Sequence, residues 1–73
     1  MSSIEKLREK LAHAKGDISL KDVERLLNHC GFYLARIVGS HFHFEKADTP
    51  AFIFPVHNGK VKCWYVRLII KKL

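Results

Sequence analysis

The 73-residue sequence has few of the features that mark secreted, redox-active or membrane-spanning proteins. Its two cysteines, Cys30 and Cys63, lie too far apart for a C-x-x-C redox or zinc motif, and two thiols do not make a disulfide framework. The longest uninterrupted apolar run, residues 51–56, is far too short to cross a bilayer, and the first residues lack a signal-peptide core. We therefore expect a cytoplasmic protein without a membrane segment.

Sequence patterns that hold nucleotides or zinc are also missing. The four glycines are isolated from one another, so neither G-x-G-x-x-G nor G-K-[ST] occurs. The zinc-binding H-E-x-x-H pattern does not occur either. None of these motifs therefore supports a bound nucleotide or a zinc site.

The sequence does contain enough apolar material for one small domain spanning residues 1–73. Hydrophobic residues make up 48% of the chain and charged residues 27%, a composition too apolar for a disordered chain. A chain of this size buries only about 60% of the surface that its unfolded form exposes. We therefore expect a compact module of modest stability that often works with a partner.

The net charge of +6 is concentrated near the C-terminus. Residues 59–73 carry Lys60, Lys62, Arg67, Lys71 and Lys72 and contain no acidic residue. Such a basic segment attracts anionic partners. The charge pattern predicts either nucleic acid or an acidic protein as the partner.

Two helices are predicted in the N-terminal half of the chain. Ser2 or Ser3 can cap the first, which lies within residues 1–15 and has an apolar stripe. Ser19 is the predicted N-cap of the second helix, and Gly31 is its predicted C-terminal cap. The two apolar stripes consist of Ile4, Leu7 and Leu11 in the first helix and Val23, Leu26, Leu27 and Cys30 in the second.

From residue 32 the pattern changes to three strands, predicted at residues 32–38, 41–46 and 51–56. Gly39 and Ser40 fit a two-residue type II′ loop, and residues 48–50 form the second turn. The first loop pairs residues whose numbers sum to 79, and directly opposed residues share one face of a sheet. The predicted pairs are Val38 with His41, Ile37 with Phe42, Arg36 with His43, and Ala35 with Phe44.

This register predicts a sheet with one apolar face and one histidine-bearing face. Residues 61–73 are predicted to form a last helix with an apolar stripe, and the amphipathic helices need an apolar surface to cover. The sequence therefore predicts an α+β fold: helix, three-stranded antiparallel sheet, helix, with an extra N-terminal helix. The apolar face includes Ala35, Ile37, Phe42, Phe44, Phe52, Phe54 and Val56, and the stripe of the last helix consists of Val61, Tyr65, Leu68 and Ile69.

The uncovered face is predicted to gather His41 and His43 from the middle strand, Arg36 from one neighbour and His57 from the other. Imidazoles exchange protons near neutral pH, and arginine stabilises negative charge in a transition state. This combination suits phosphodiester chemistry. Three histidines could alternatively bind zinc, and His57 could merely order the Asn58-Gly59 turn.

A second basic feature is predicted on the last helix. Lys60, Arg67 and Lys71 recur at helical spacing and predict a stripe of phosphate contacts. Trp64 and Tyr65 in the same segment could stack on bases or pack against the core.

Four segments together resemble the HicA family of bacterial toxins, the messenger-RNA interferases of HicA/HicB toxin–antitoxin pairs. They are GSHFHF (residues 39–44), PVHNGK (residues 55–60), VERLL (residues 23–27) and CGF (residues 30–32). The resemblance covers residues 18–73 as a core and leaves residues 1–15 as a helical extension. It implies a fold similar to double-stranded-RNA-binding domains, cleavage of RNA without a metal, and neutralisation by a HicB antitoxin in an oligomeric complex. The family's catalytic histidine corresponds to His41.

Three functions are therefore considered. In the first, the chain is an endoribonuclease toxin with His41 as general acid or base, and the RNA contacts come from Arg36, His43, His57, Lys60, Arg67 and Lys71. In the second, it is an RNA-binding module without catalysis. In the third, its basic surface docks an acidic protein.

Overall fold

The computed structural model describes residues 3–73, so Ser2, one of the two predicted helix caps, lies outside the described residues. In chain order the elements are α1 (Ser3–Ala12), β1 (Ile18–Ser19), α2 (Leu20–His29), β2 (Tyr33–Val38), β3 (His41–Lys46), β4 (Thr49–Pro55), β5 (Lys60–Val61) and α3 (Cys63–Lys72). Strands β2, β3 and β4 form an antiparallel sheet with β3 in the middle, and β1 pairs with β5 in a separate two-stranded sheet. The predicted α+β fold class is confirmed.

The hydrophobic core lies between the helices and one face of the three-stranded sheet. Phe44 and Phe54 from neighbouring strands are buried there with nearly parallel rings, whose centroids lie 5.5 Å apart. Helix α1 contacts both α2 and α3. The helices contribute one shared set of buried aliphatic side chains: Leu7, Leu11, Val23, Leu26, Leu27, Val66 and Ile69.

Short-range sequence signals define α2 and the first turn as predicted. The Ser19 hydroxyl accepts a hydrogen bond from the Lys21 N–H at 3.3 Å and caps α2. Gly31 follows the helix with a φ of 93°, a conformation that residues with a Cβ rarely adopt. Gly39 has a φ of 61° and Ser40 does not have a positive φ, as a type II′ loop requires.

A β-bulge at Ala35 changes the predicted register in the first half of β2. Arg36, Ile37 and Val38 pair with β3 as predicted, but Leu34 lies opposite Phe44 in place of Ala35. The prediction that Ala35 lines the apolar face is therefore wrong, and Ala35 is exposed. The larger Leu34 packs against the core instead, which buries more apolar surface beside Phe44 than an alanine would.

The second turn lies one residue earlier than predicted. Ala47 and Asp48 form the turn, with Asp48 at a φ of 56°, and Thr49 and Pro50 already belong to β4. Asparagine and aspartate adopt this left-handed conformation more readily than other residues with a Cβ, so Asp48 is the residue that the turn requires.

The predicted last helix begins two residues too early. Lys60 and Val61 form β5 and pair with Ser19 and Ile18, so the helix starts only at Cys63. Lys62 stands at the N-cap without a side-chain hydrogen bond, and the helix start therefore carries no capping signal in the sequence.

The predicted apolar stripe of that helix is partly wrong for the same reason. Val61 is buried, but as part of β5. Within α3 the buried residues are Val66 and Ile69, and Leu68 is exposed. The buried face of α3 is thus turned relative to the predicted one.

Replacing Leu11 with alanine is expected to lower the free energy of unfolding by about 2–5 kcal/mol. Leu11 is only 1% exposed, and its side chain joins α1 to the common core. Leu68→Ala, at a position that is 50% exposed, is the matched control and should cost less than about 1 kcal/mol. Urea unfolding followed by circular dichroism measures both, and equal losses would show that α1 is not anchored through this residue.

Candidate nucleic-acid interface

His41 is the first residue of the middle strand, and its exposed side chain lies on the sheet face opposite the core. Val38 lies across from it on β2, and Pro55 lies across from it on β4. The Val56 N–H donates to the Ser40 carbonyl at 2.8 Å, which makes these two residues a hydrogen-bonded pair. Hydrogen-bonded and non-hydrogen-bonded pairs alternate along antiparallel strands, so the next pair, His41 and Pro55, is non-hydrogen-bonded. Side chains approach most closely in such pairs, and the imidazole therefore has a defined apolar neighbour and an open outer side.

Arg36 and His43 lie on the same face as His41. They are directly opposed across β2 and β3, which places their Cβ atoms about 5 Å apart. His41 and His43 are two residues apart on one strand, a separation of about 7 Å. Within residues 3–73, the side chains of these three residues have no hydrogen-bond or ion-pair partner, so their polar groups are available to an external anion.

His57 and Lys60 form a second basic pair. Asn58 and Gly59 have φ values of 53° and 71° and form a tight turn in which His57 and Lys60 exchange two backbone hydrogen bonds. Directly opposed residues share a face, so both exposed side chains lie together. Val56 is buried, and the alternation along the strand therefore directs His57, like Pro55, away from the core.

Arg67 and Lys71 lie on α3 and are not brought to the histidine face. The Arg67 guanidinium donates to the Ala14 carbonyl and to the Cys63 Sγ, both at 3.2 Å, and so joins α3 to the segment after α1. Lys71 is exposed in the last turn of α3. The predicted stripe through Lys60, Arg67 and Lys71 is not formed, because Lys60 belongs to β5 and does not continue the helix.

Sequence reasoning missed two residues on the histidine face, Tyr33 and Glu45. The predicted register would have placed Leu34 opposite Glu45, but the bulge places Tyr33 there. Leu34 and Phe44 face the core, so their neighbours Tyr33 and Glu45 face outward with the histidines. The bulge had no sequence signal that would have revealed Tyr33, whereas the alternation of β3 after His41 and His43 could have placed Glu45 on this face.

Along the described part of the chain, no group of three or more histidine, cysteine, aspartate or glutamate residues is placed to hold a metal ion. The alternative of a three-histidine zinc site has no geometric support. None of the helices in residues 3–73 has the length and apolar character needed to cross a membrane.

Comparisons with known proteins give one result. The family model described as HicA toxin of bacterial toxin-antitoxin matches residues 20–73. Neither the search of curated proteins nor that of solved structures found a match. The matched segment runs from α2 to the end of the chain and includes the whole histidine face, whereas α1 precedes it. Because the match covers well over half of the sequence, the chain belongs to the HicA family of bacterial toxin–antitoxin toxins.

Proposed function

We propose that the chain is a metal-independent endoribonuclease that cleaves messenger RNA and uses His41 as a general acid or base. The observation that carries the proposal is the exposed imidazole of His41, which lies beside Arg36 and His43 without an internal partner. Cationic groups concentrated on an open face attract the RNA backbone.

In the proposed reaction, a base removes the proton of a ribose 2′-hydroxyl, and the 2′ oxygen attacks the adjacent phosphorus. The bond from phosphorus to the 5′ oxygen breaks, and that oxygen takes up a proton. The products are a 2′,3′-cyclic phosphate and a 5′-hydroxyl. His41 carries one proton transfer and His43, about 7 Å along β3, carries the other.

Arg36 supplies the positive charge that the transition state of this reaction requires. Negative charge builds up on the phosphate oxygens in the transition state, and fixed cationic donors stabilise it. Arg36 lies opposite His43 and has no competing partner in residues 3–73, so its guanidinium is free to bind the reacting phosphate. His57 and Lys60 extend the cationic surface beyond Pro55 and contact neighbouring phosphates. Lys71, and Arg67 when freed from Ala14, contact RNA that passes over α3.

Membership of a toxin–antitoxin family implies an antitoxin partner. We propose that a HicB-type antitoxin covers the histidine face in an oligomeric complex and blocks RNA by steric exclusion and opposite charge. The exposed apolar side chains of Val38 and Ile53 on this face would add buried apolar contact to such a complex.

The test uses the purified chain without antitoxin, an RNA substrate, and a chelator such as EDTA throughout. We expect cleavage of RNA and no cleavage of a 2′-O-methyl RNA of the same sequence, because methylation removes the attacking hydroxyl proton. Gel electrophoresis resolves the cleavage products. A separate binding measurement should show that the protein binds both RNAs, so that a lack of cleavage is not a lack of binding. Salt-sensitive binding of RNA that stays uncut would favour a non-catalytic RNA-binding module, and absence of RNA binding would favour a protein-docking role.

Replacing Arg36 with glutamine is expected to lower kcat/KM for RNA at least tenfold. The slope of log affinity against log salt should also fall by about 0.7, the value for one lost contact to single-stranded RNA. Lys21→Gln, an exposed lysine on α2 outside the histidine face, removes the same charge and should change neither quantity. If both variants behaved alike, Arg36 would contribute only to the overall charge.

A further inference from the structure

The β-bulge at Ala35 gives the histidine face a feature that a regular strand would not have. Without the bulge, the two-residue loop would place Leu34 opposite Glu45, and Tyr33 would point to the core side. With the bulge, Tyr33 lies opposite Glu45 on the open face. Bulges are over-represented at sheet edges, such as β2, and next to active sites, where they redirect a side chain.

The redirected Tyr33 offers a flat, accessible aromatic surface. Its side chain is 57% exposed, and within residues 3–73 it has no aromatic stacking partner. Single-stranded RNA is recognised largely by stacking of unpaired bases on exposed aromatic rings. A tyrosine on an open sheet face beside a cationic cluster suits this role.

Glu45 lies directly across from Tyr33, with Cβ atoms about 5 Å apart. Glu45 is half-buried, and its carboxylate has no hydrogen-bond or ion-pair partner among the described residues. An ionised carboxylate only accepts hydrogen bonds, and it can accept two in parallel. Of the four RNA bases, guanine alone presents two adjacent donors, N1–H and the N2 amine, on its Watson–Crick edge.

We propose that Tyr33 and Glu45 form a guanine-binding subsite next to the cleavage site, an inference that rests on the proposed cleavage of RNA. The base stacks on Tyr33 and donates N1–H and N2–H to the Glu45 carboxylate. Arg36 and His43 form the next pair on this face, between the subsite and His41, so the guanine belongs to a nucleotide near the scissile phosphate. Arg36 also offsets the repulsion between Glu45 and the RNA backbone.

The test measures binding by the full chain carrying His41→Ala, which binds RNA without cutting it. The probes are three fluorescent pentanucleotides, UUGUU, UUIUU and UUAUU, in which inosine differs from guanosine only by lacking the N2 amine. We expect UUGUU to bind about tenfold more tightly than UUIUU, because a hydrogen bond to a charged acceptor is lost. Adding Glu45→Gln should abolish the preference, and Glu24→Gln on α2 is the matched control that should keep it.

The two parts of the subsite have separate expected effects. Tyr33→Ala should weaken binding of all three RNAs about tenfold, whereas Tyr33→Phe, which keeps the ring, should bind like the parent. Equal affinities for UUGUU and UUIUU, an unchanged preference after Glu45→Gln, or no detectable binding of UUGUU would each overturn the subsite. So would a Tyr33→Ala variant that binds RNA normally and loses affinity only for the antitoxin.

The outcomes separate this inference from the proposed function. If the wild-type chain cleaves RNA but shows no guanine preference, the nuclease proposal stands and the subsite is wrong. If the His41→Ala chain prefers guanine but the wild-type chain leaves RNA intact, the subsite stands and the nuclease proposal is wrong.

Discussion

Replacing His41 with alanine is expected to lower the rate of RNA cleavage by a factor of about 10²–10⁴, the usual contribution of a positioned general acid or base. The loss should appear in kcat, because in the proposed mechanism His41 acts on a proton that moves only during the reaction. The exposed side chain makes no internal hydrogen bond among the described residues, so the variant should unfold at the same urea concentration as the wild type. Cleavage of a labelled RNA under single-turnover conditions measures the rate, and growth inhibition on expression gives the parallel cellular result.

His29→Ala is the matched control for this prediction. His29 is also exposed, but it lies in the last turn of α2, away from the open face of the sheet. This variant should cleave RNA at the wild-type rate, and His43→Ala should lose activity if it carries the second proton transfer. A His41→Ala protein as active and as toxic as the wild type would remove His41 from the mechanism.

Replacing Phe44 with alanine is expected to cost about 3–5 kcal/mol of unfolding free energy. Phe44 is 0% exposed at the centre of the middle strand, packed against Phe54 and between Leu34 and Phe52 of the flanking strands. A 73-residue domain has a total stability of roughly 4–11 kcal/mol, so the substitution should remove a large share of it. Thermal and urea unfolding monitored by circular dichroism measure the loss.

Ile37→Ala is the corresponding control on the same sheet face. Ile37 lies opposite Phe42 on the core side, but it is 51% exposed because the helices do not cover this end of β2. Its truncation should cost less than about 1 kcal/mol. An Ile37→Ala variant less stable than Phe44→Ala would contradict the placement of the core between the helices and the middle of the sheet.

The parts of the fold that short-range chemistry determines were predictable from the sequence. Ser19 as a helix cap, Gly31 after the helix and Gly39 in the first loop each act through bonds within a few residues. The alternation of β3 is equally local, and it correctly separated His41 and His43 from the phenylalanines. The open face and its central histidines are therefore predictable from the sequence alone.

The parts that depend on distant contacts could not be predicted. The bulge at Ala35 is favoured by the packing of Leu34 beside Phe44, which is a tertiary contact. The pairing of β1 with β5 joins two-residue strands about forty positions apart, too short to show any periodicity. Because β5 takes up Lys60 and Val61, the basic stripe inferred from helical spacing was not formed.

The proline opposite His41 has a consequence for self-association. Strand β4 is an edge of the sheet, and exposed edges can template aggregation by pairing with further strands. In the non-hydrogen-bonded pair with His41, the backbone nitrogen of Pro55 points outward, where any other residue would present an N–H. An incoming strand would find no donor there, so Pro55 protects the edge beside His41 from fibril-like growth.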